Sequence, residues 1–438
     1  MRRFAASGCR HVFMPNQRQV SERAVVALIG AVQFVNILDF VMVMPLGPDF
    51  AKELGIASSH IGIIGGAYTA AASVAGLAGG YFLDRFDRRK ALAVSMLGLV
   101  VATAAGGFAT GMSTLMLARV VAGIFGGPAT SLSLSIIADL VPVERRGRAL
   151  GAVMGAFSVA SVAGVPMALK LAEFGGWRVP FFAVAAMGLL VVLGAIFYLP
   201  PVRGHLDAGP RKQAGVLELL ANRDIQLSYV MTALVMMAGF VLIPNLSAYL
   251  QQNVGYPRDL LWLPYFIGGI ASFATLRVAG PMVDRYGSFK VGTVGSALVL
   301  LSTYVGFVHL PRWMPVPVIF TLFMVAMGTR NVAYNTLTSR VPDTPVRARF
   351  MSLQSAVQHM AAAVGAFLSA RLLTDLPDGT LGGIPRMAGV SMVLTLLLPA
   401  LLWVVERRVH SREQARALAV APSQGMAVPL SPGADSHA

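Results

Sequence analysis

One carboxylate and one guanidinium sit where the sequence around them has little else that is charged. Asp39 lies in VQFVNILDFVMVMPLGP and Arg119 in LMLARVVAGIFGGP, and of the 20 acidic residues only Asp39 falls well inside an apolar run. A charge buried in hydrocarbon is costly enough to mark function, and it needs a partner. At about 1.5 Å per helical residue, Asp39 is about 24 Å from Arg23, and Arg119 about 30 Å from Asp139, so the two have compatible depths. A nearby guanidinium favours an ionised carboxylate, whereas burial alone favours the neutral acid. A pair that parts and re-forms would therefore take up and release a proton. A permanent ion pair joining two helices is the competing reading.

Gln33, Asn36 and Asp39 recur every three residues along one side of a helix, the side expected to face an internal cavity. Further polar positions in apolar surroundings are Asn245, Tyr249, Arg330, Asn331, Asn335, Gln354, Gln358 and His359, expected to line the cavity from the other side. Asn331 and Asn335, and Gln354 and Gln358, are each one helical turn apart. For each alone, an interhelical hydrogen bond competes with ligand contact, and for His359 a satisfied structural role competes with proton relay.

These side chains must be held by helices that cross a bilayer. Of the 438 residues 56% are hydrophobic and only 13% charged, with a mean hydropathy of +0.68. That composition points to a membrane solvent. Twelve runs are long enough to span by helix: 24–46, 59–83, 90–110, 112–137, 149–173, 178–200, 226–250, 259–282, 290–309, 313–338, 350–373 and 386–406. The expected architecture is all-α, with a cytoplasmic segment 1–23, a six-helix bundle 24–200, a cytoplasmic loop 201–225, a second six-helix bundle 226–406 and a disordered tail 407–438. The net charge of +15 does not read as nucleic-acid binding. Most basic residues lie in the termini and in the loops after even-numbered spans, which places both termini in the cytoplasm. The single cysteine, Cys9, excludes an intramolecular disulfide. The first 23 residues carry several arginines and no apolar core, unlike a cleaved signal peptide, and Met14 is a second candidate start.

The chain says the same thing twice. GGYFLDRFDRRKAL after the second span is answered 200 residues later by GPMVDRYGSFKVG, so that Gly80, Asp84, Arg85 and Lys90 match Gly280, Asp284, Arg285 and Lys290. Val141-Pro142 and Val341-Pro342 keep the same offset. Parallel repeats with a midplane site between them are a transporter plan. Over about residues 20–407 the chain resembles the major facilitator superfamily. Its charged-turn signature is carried here by Gly80, Asp84, Arg85, Arg89 and Lys90; Asp87 replaces the second glycine, which Gly287 supplies in the second copy. The resemblance implies that this turn latches the cytoplasmic side, with Asp84 and Asp284 approaching the positive N-terminal end of a neighbouring helix.

Arg119 and Gly123 are similar to the superfamily's fourth-span proton-transfer motif. Gly155, Gly164 and Pro166 resemble the fifth-span motif of twelve-span drug:proton antiporters, with Val165 splitting the Gly-Pro as in the arabinose-efflux-permease branch. The resemblance implies a proton-coupled exporter of small organic compounds, driven by the proton gradient without a cofactor or metal. One chain holds both halves of the pathway, so a monomer is expected, and thirty arginines against five lysines, with much Ala and Gly, point to a GC-rich bacterial genome and so to a bacterial inner membrane. A facilitator, or a proton symporter importing a metabolite or organic anion, is the alternative. No Gly-x-Ser-x-Gly elbow, His-Glu-x-x-His pair or Walker loop is present, so the expectation is not an enzyme.

Overall fold

The computed structural model describes residues 21–203, 206, 216–343 and 346–420. The first 20 residues, with Cys9 and Met14, and residues 421–438 lie outside the described set, as does most of 204–215 in the central loop. Twelve long helices organise the rest. We number them α1 (Glu22–Met42), α2 (Ile61–Phe82), α3 (Arg88–Gly107), α4 (Met112–Leu140), α5 (Arg145–Gly175) and α6 (Arg178–Tyr198) in the first half. The second half holds α7 (Arg223–Gln252), α8 (Trp262–Tyr286), α9 (Ser288–Val308), α10 (Val316–Arg340), α11 (Arg347–Leu372) and α12 (Ile384–Val420).

Eleven of these, among the described residues, are long and apolar enough to cross a membrane. The helix outside that count is α11, whose 26 residues give ample length. Its arginines, glutamines and His359 make it too polar by composition, which fits a helix facing the other half.

Contacts within the two halves repeat. In the first, α2 and α3 pack on α4, α3 on α6, and α1 on α5 and α6. In the second, α8 and α9 pack on α10, α9 on α12, and α7 on α11 and α12. Between halves, α2 packs on α11 and α5 on α8, pairs that exchange under the same correspondence. This is the geometry of two parallel repeats related by an axis along the bundle.

Small residues make the close approaches. A Cβ on Gly123 would stand 2.3 Å from the Tyr68 carbonyl oxygen, and one on Gly127 2.4 Å from that of Ala72, so α4 meets α2 backbone to backbone. Across the halves, Gly62 would meet the Ala366 carbonyl at 2.5 Å and Gly269 the Val162 Cα at 2.8 Å.

Two expectations are corrected. The segment from 407 is not disordered from its start: α12 continues to Val420. Its SREQARAL stretch, residues 411–418, favours helix, and Arg408 and Arg412 hold Asp224 at 3.0 and 3.3 Å, with Arg412 also 3.0 Å from Asp343. The end of the bundle remote from the termini also carries elements absent from the sequence reading. These are a short helix, Gly47–Leu54, and a two-residue hairpin pairing Thr374–Asp375 (β1) with Leu381–Gly382 (β2).

Candidate coupling site

Asp39 on α1 and Arg119 on α4 meet inside the first half, 0% and 1% exposed. Arg119 Nη1 donates to Asp39 Oδ1 at 2.9 Å and Nη2 to Oδ2 at 2.9 Å, a two-pronged ion pair, while Nη2 is also 3.2 Å from the Asp39 carbonyl oxygen. Thr103 on α3 has one hydroxyl proton for two acceptors in reach, Asp39 Oδ1 at 2.7 Å and the Leu99 carbonyl at 2.8 Å, and the carboxylate is the stronger. The guanidinium carbon stands 4.7 Å from the centre of the Tyr68 ring on α2. Four helices thus converge on one charge pair. Thr103 and Tyr68 were not singled out by sequence, because a hydroxyl in an apolar run carries no signal until a partner is known.

One turn before Asp39, Asn36 accepts from the Tyr68 hydroxyl at 2.8 Å and donates to Gly126 O at 3.0 Å and Thr130 Oγ1 at 2.7 Å. Its amide is fully engaged in holding α1, α2 and α4 together. Gly126 has no room for a side chain, since a Cβ there would stand 2.4 Å from the Tyr68 hydroxyl. Gln33 is buried with its Oε1 unpartnered.

The residues expected on the opposite wall separate into distinct groups. Asn245 donates to Ser369 Oγ at 2.7 Å, and the Tyr249 hydroxyl to Gly306 O at 2.6 Å, so both tie helices of the second half together. Gln354 donates to Thr232 Oγ1, and Gln358 to the Tyr334 hydroxyl at 3.1 Å. Asn335 is exposed, and Asn331 is partly buried with its Oδ1 unpartnered. His359 Nδ1 lies 2.8 Å from Ser355 O, beside Ala72 and Gly127 at the seam between halves. Arg330 is buried between α7, α9 and α10.

The charged turns are braced within each half. Asp84 and Gly80 lie outside the residues whose surroundings are described. Arg85 and Lys90 are exposed. Arg88 pairs with Asp139 at 2.5 Å, and Arg89 Nη1 donates to Leu199 O at 3.1 Å. Asp284, expected against a helix N-terminus, is 73% exposed and only 3.9 Å from Arg340, the last residue of α10. Lys290 is exposed, Gly280 has open space beside it, and Arg285 stacks 5.2 Å from the Tyr286 ring.

Other carboxylates perform the helix-end role. Asp87, 7% exposed, accepts from the backbone N–H of Arg89 at 3.0 Å, which caps α3, from Val202 N at 3.2 Å and from Arg203 Nε at 3.0 Å. Burial opposes its ionisation, but the bond from Arg203 and the two backbone N–H groups outweigh it and hold the carboxyl below the usual range. In the second copy Gly287 adopts φ +88°, which strains any other residue. Glu406 of α12 reaches in to accept from Ser288 N at 2.6 Å and Phe289 N at 3.2 Å. A Cβ at Gly287 would stand 3.0 Å from Glu406 Oε1. The two copies therefore place a carboxylate at the same helix end from different parts of the chain.

The fifth-span motif interrupts the regular α-helix. Residues Ala160–Gly164 form a π turn, with Gly155 before it and Pro166 after. Gly164 lies under Leu38, whose Cδ1 a Cβ would meet at 2.8 Å, next to Asp39. The π turn touches both α1 and α8.

Polar links between the halves gather at the end remote from the termini. Arg258 Nη2 donates to Asp49 Oδ2 at 2.6 Å and Nε to Oδ1 at 2.9 Å. Ser59 Oγ donates to Asp375 at 2.6 Å, Gln252 Nε2 to Ser58 Oγ at 2.7 Å, and Ser247 Oγ to Pro45 O at 2.8 Å. Midway along the seam Ser73 Oγ donates to Ala356 O at 2.8 Å.

The chain is similar to known proteins along most of its length. The chain is 29% identical to a chloramphenicol resistance protein of Streptomyces lividans over 364 residues, 82% of this chain and 91% of that protein. It is 28% identical to the purine ribonucleoside efflux pump NepI of Escherichia coli over 384 residues, 86% and 92% of the two. Among solved structures it superposes on a bacterial homologue of the lysosomal transporter Spinster with a TM-score of 0.68 at 16% identity, covering 90% of this chain and 99% of that one. On the xylose transporter XylE of E. coli the TM-score is 0.67 at 17% identity, with 87% and 97% covered. The family model described as Major Facilitator Superfamily matches residues 29–366 and 229–427, and the chain is a multi-pass membrane transporter belonging to that superfamily.

Proposed function

We propose that this transporter exports small organic compounds in exchange for protons, in a bacterial inner membrane with both termini in the cytoplasm. The observation that carries the reading is the Asp39–Arg119 pair, 2.9 Å on both prongs and sealed from solvent. Separating such a pair inside a low-dielectric interior leaves a buried charge whose cheapest relief is a proton on the carboxylate. The π turn of α5 lies against α1 beside Asp39 and against α8 of the other half, so motion between the halves acts on the helix that carries the acid. Export is supported by the efflux and resistance relatives and by the placement of Gly155, Gly164 and Pro166. The basic loops support the orientation.

The test is ΔpH-driven uptake into everted vesicles across cationic, neutral and anionic compounds, with chloramphenicol and purine ribonucleosides included. Uptake that vanishes in Asp39→Asn, with the protein inserted at normal levels, is the expected result. Equal uptake in both would remove Asp39 from coupling, and movement indifferent to ΔpH would make the protein a facilitator.

A further inference from the structure

The first half balances its buried charge and the second does not. Arg119 is answered by Asp39. Arg330 on α10 is 0% exposed, yet every acidic residue of the second half, from Asp224 to Glu413, lies toward one end of the bundle or in a connection. Its Nη2 reaches only neutral acceptors, the Val235 carbonyl at 3.3 Å and Met327 Sδ at 3.0 Å. Nε and Nη1 have no partner. A guanidinium carries five N–H donors and stays protonated, so three of them point at nothing that accepts.

Small and apolar residues pack around this group, and none of them offers a charge. Gly239 of α7 lies nearby, where a Cβ would stand 2.8 Å from Met327 Cε and 3.9 Å from Nη2, and a Cβ on Gly295 of α9 would stand 2.7 Å from the Arg330 backbone nitrogen. One turn further along α10, buried Tyr334 brings a hydroxyl already bonded to Gln358 of α11. A buried cation whose Nε and Nη1 donors have no partner is what an anionic group would complete.

We propose that Arg330 is an anion subsite of the second half, binding one singly charged group at Nε and Nη1: the carboxylate of a transported compound or a halide ion. The inference deepens the transport reading by assigning a charge to the bound species. Its test uses neither a gradient nor a direction, so it stands or falls apart from export.

Purified full-length protein in detergent is melted in anion-poor zwitterionic buffer with sodium benzoate, neutral benzamide or sodium chloride, at matched ionic strength where salts are compared. Benzoate or chloride raising the midpoint by about 2 °C or more beyond benzamide is the expected result. Arg330→Gln should remove that difference. Arg330→Lys, which keeps a positive charge but not the donor geometry, should retain only part of it. A benzoate response that chloride suppresses identifies an organic carboxylate site shared with halide, and a chloride response alone identifies an inorganic anion. No difference between benzoate, chloride and benzamide in the unmutated protein would overturn the proposal, because water alone would then satisfy the guanidinium. A response undiminished in Arg330→Gln would overturn it equally. The unmutated protein decides the first outcome even if Arg330→Gln does not fold.

Discussion

Asp39 Oδ1 is shared between Arg119 Nη1 and the Thr103 hydroxyl, so a small neutral side chain sits directly on the proposed proton carrier. A hydrogen bond to a charged group is worth about 1.5–3 kcal/mol. Thr103→Val should lower ΔpH-driven uptake by roughly tenfold or more, with Thr103→Ser restoring most of it. Replacing Arg119 by Ala leaves Asp39 buried alone. Breaking a buried pair in this way costs about 3–5 kcal/mol, so the melting midpoint of Arg119→Ala should fall well below that of an Asp39→Asn, Arg119→Gln double variant. At this scale the sequence showed the pair, because two charges in apolar runs stand out. It did not show Asn36, Asn245 and Tyr249 as fixed interhelical braces, because a polar residue in a span looks the same whether it faces a ligand or a neighbouring carbonyl.

Among elements, the closest approach is α4 against α2 through Gly123 and Gly127. Adding a methyl group at either puts it about 2.3–2.4 Å from a backbone oxygen, which forces the helices apart and costs about 1–3 kcal/mol. Gly123→Ala and Gly127→Ala should each lower the melting midpoint, whereas Gly76→Ala, with open space around it, should not. The charged turns make a pH-dependent prediction. Because the Asp87 carboxyl is held below its ordinary value, its contribution is present above the unfolded value of about 3.9 and is lost as pH falls through the folded one. Asp87→Ala should therefore melt lower than the unmutated protein by the equivalent of about 0.5–2 kcal/mol at pH 7, the gap closing only below about pH 4. The repeated motif was plain in sequence, and so was its loop position. Which carboxylate caps which helix was not: Glu406 is more than a hundred residues from the turn it serves, and Asp87 looked like a departure from the motif.

For the molecule as a whole, the two-fold plan was legible from the 200-residue offset and the spacing of the apolar runs. The short helix Gly47–Leu54 and the β1–β2 hairpin were not, since each is stabilised by the other half or by neighbouring helices and not by its own pattern. Asp49 and Arg258 tie the halves at that end and are each about a quarter exposed, so the pair should contribute about 0.2–1 kcal/mol. Asp49→Ala should raise cysteine-labelling rates at seam positions near Ser58 by up to about fivefold, and the exchange Asp49→Arg with Arg258→Asp should bring them back.

The long seam itself is different. Where α2 meets α11, Gly62 and Gly66 lie against Ala366 and Phe367, and the polar links there are few and mostly at one end. A joint of this kind is closely fitted: the Phe367 ring seats against Gly66 and the Ala366 carbonyl against Gly62, with no space for even a methyl group between them. A methyl group added at Gly62 or Gly66 would therefore act as a wedge, holding the two halves apart along the whole joint.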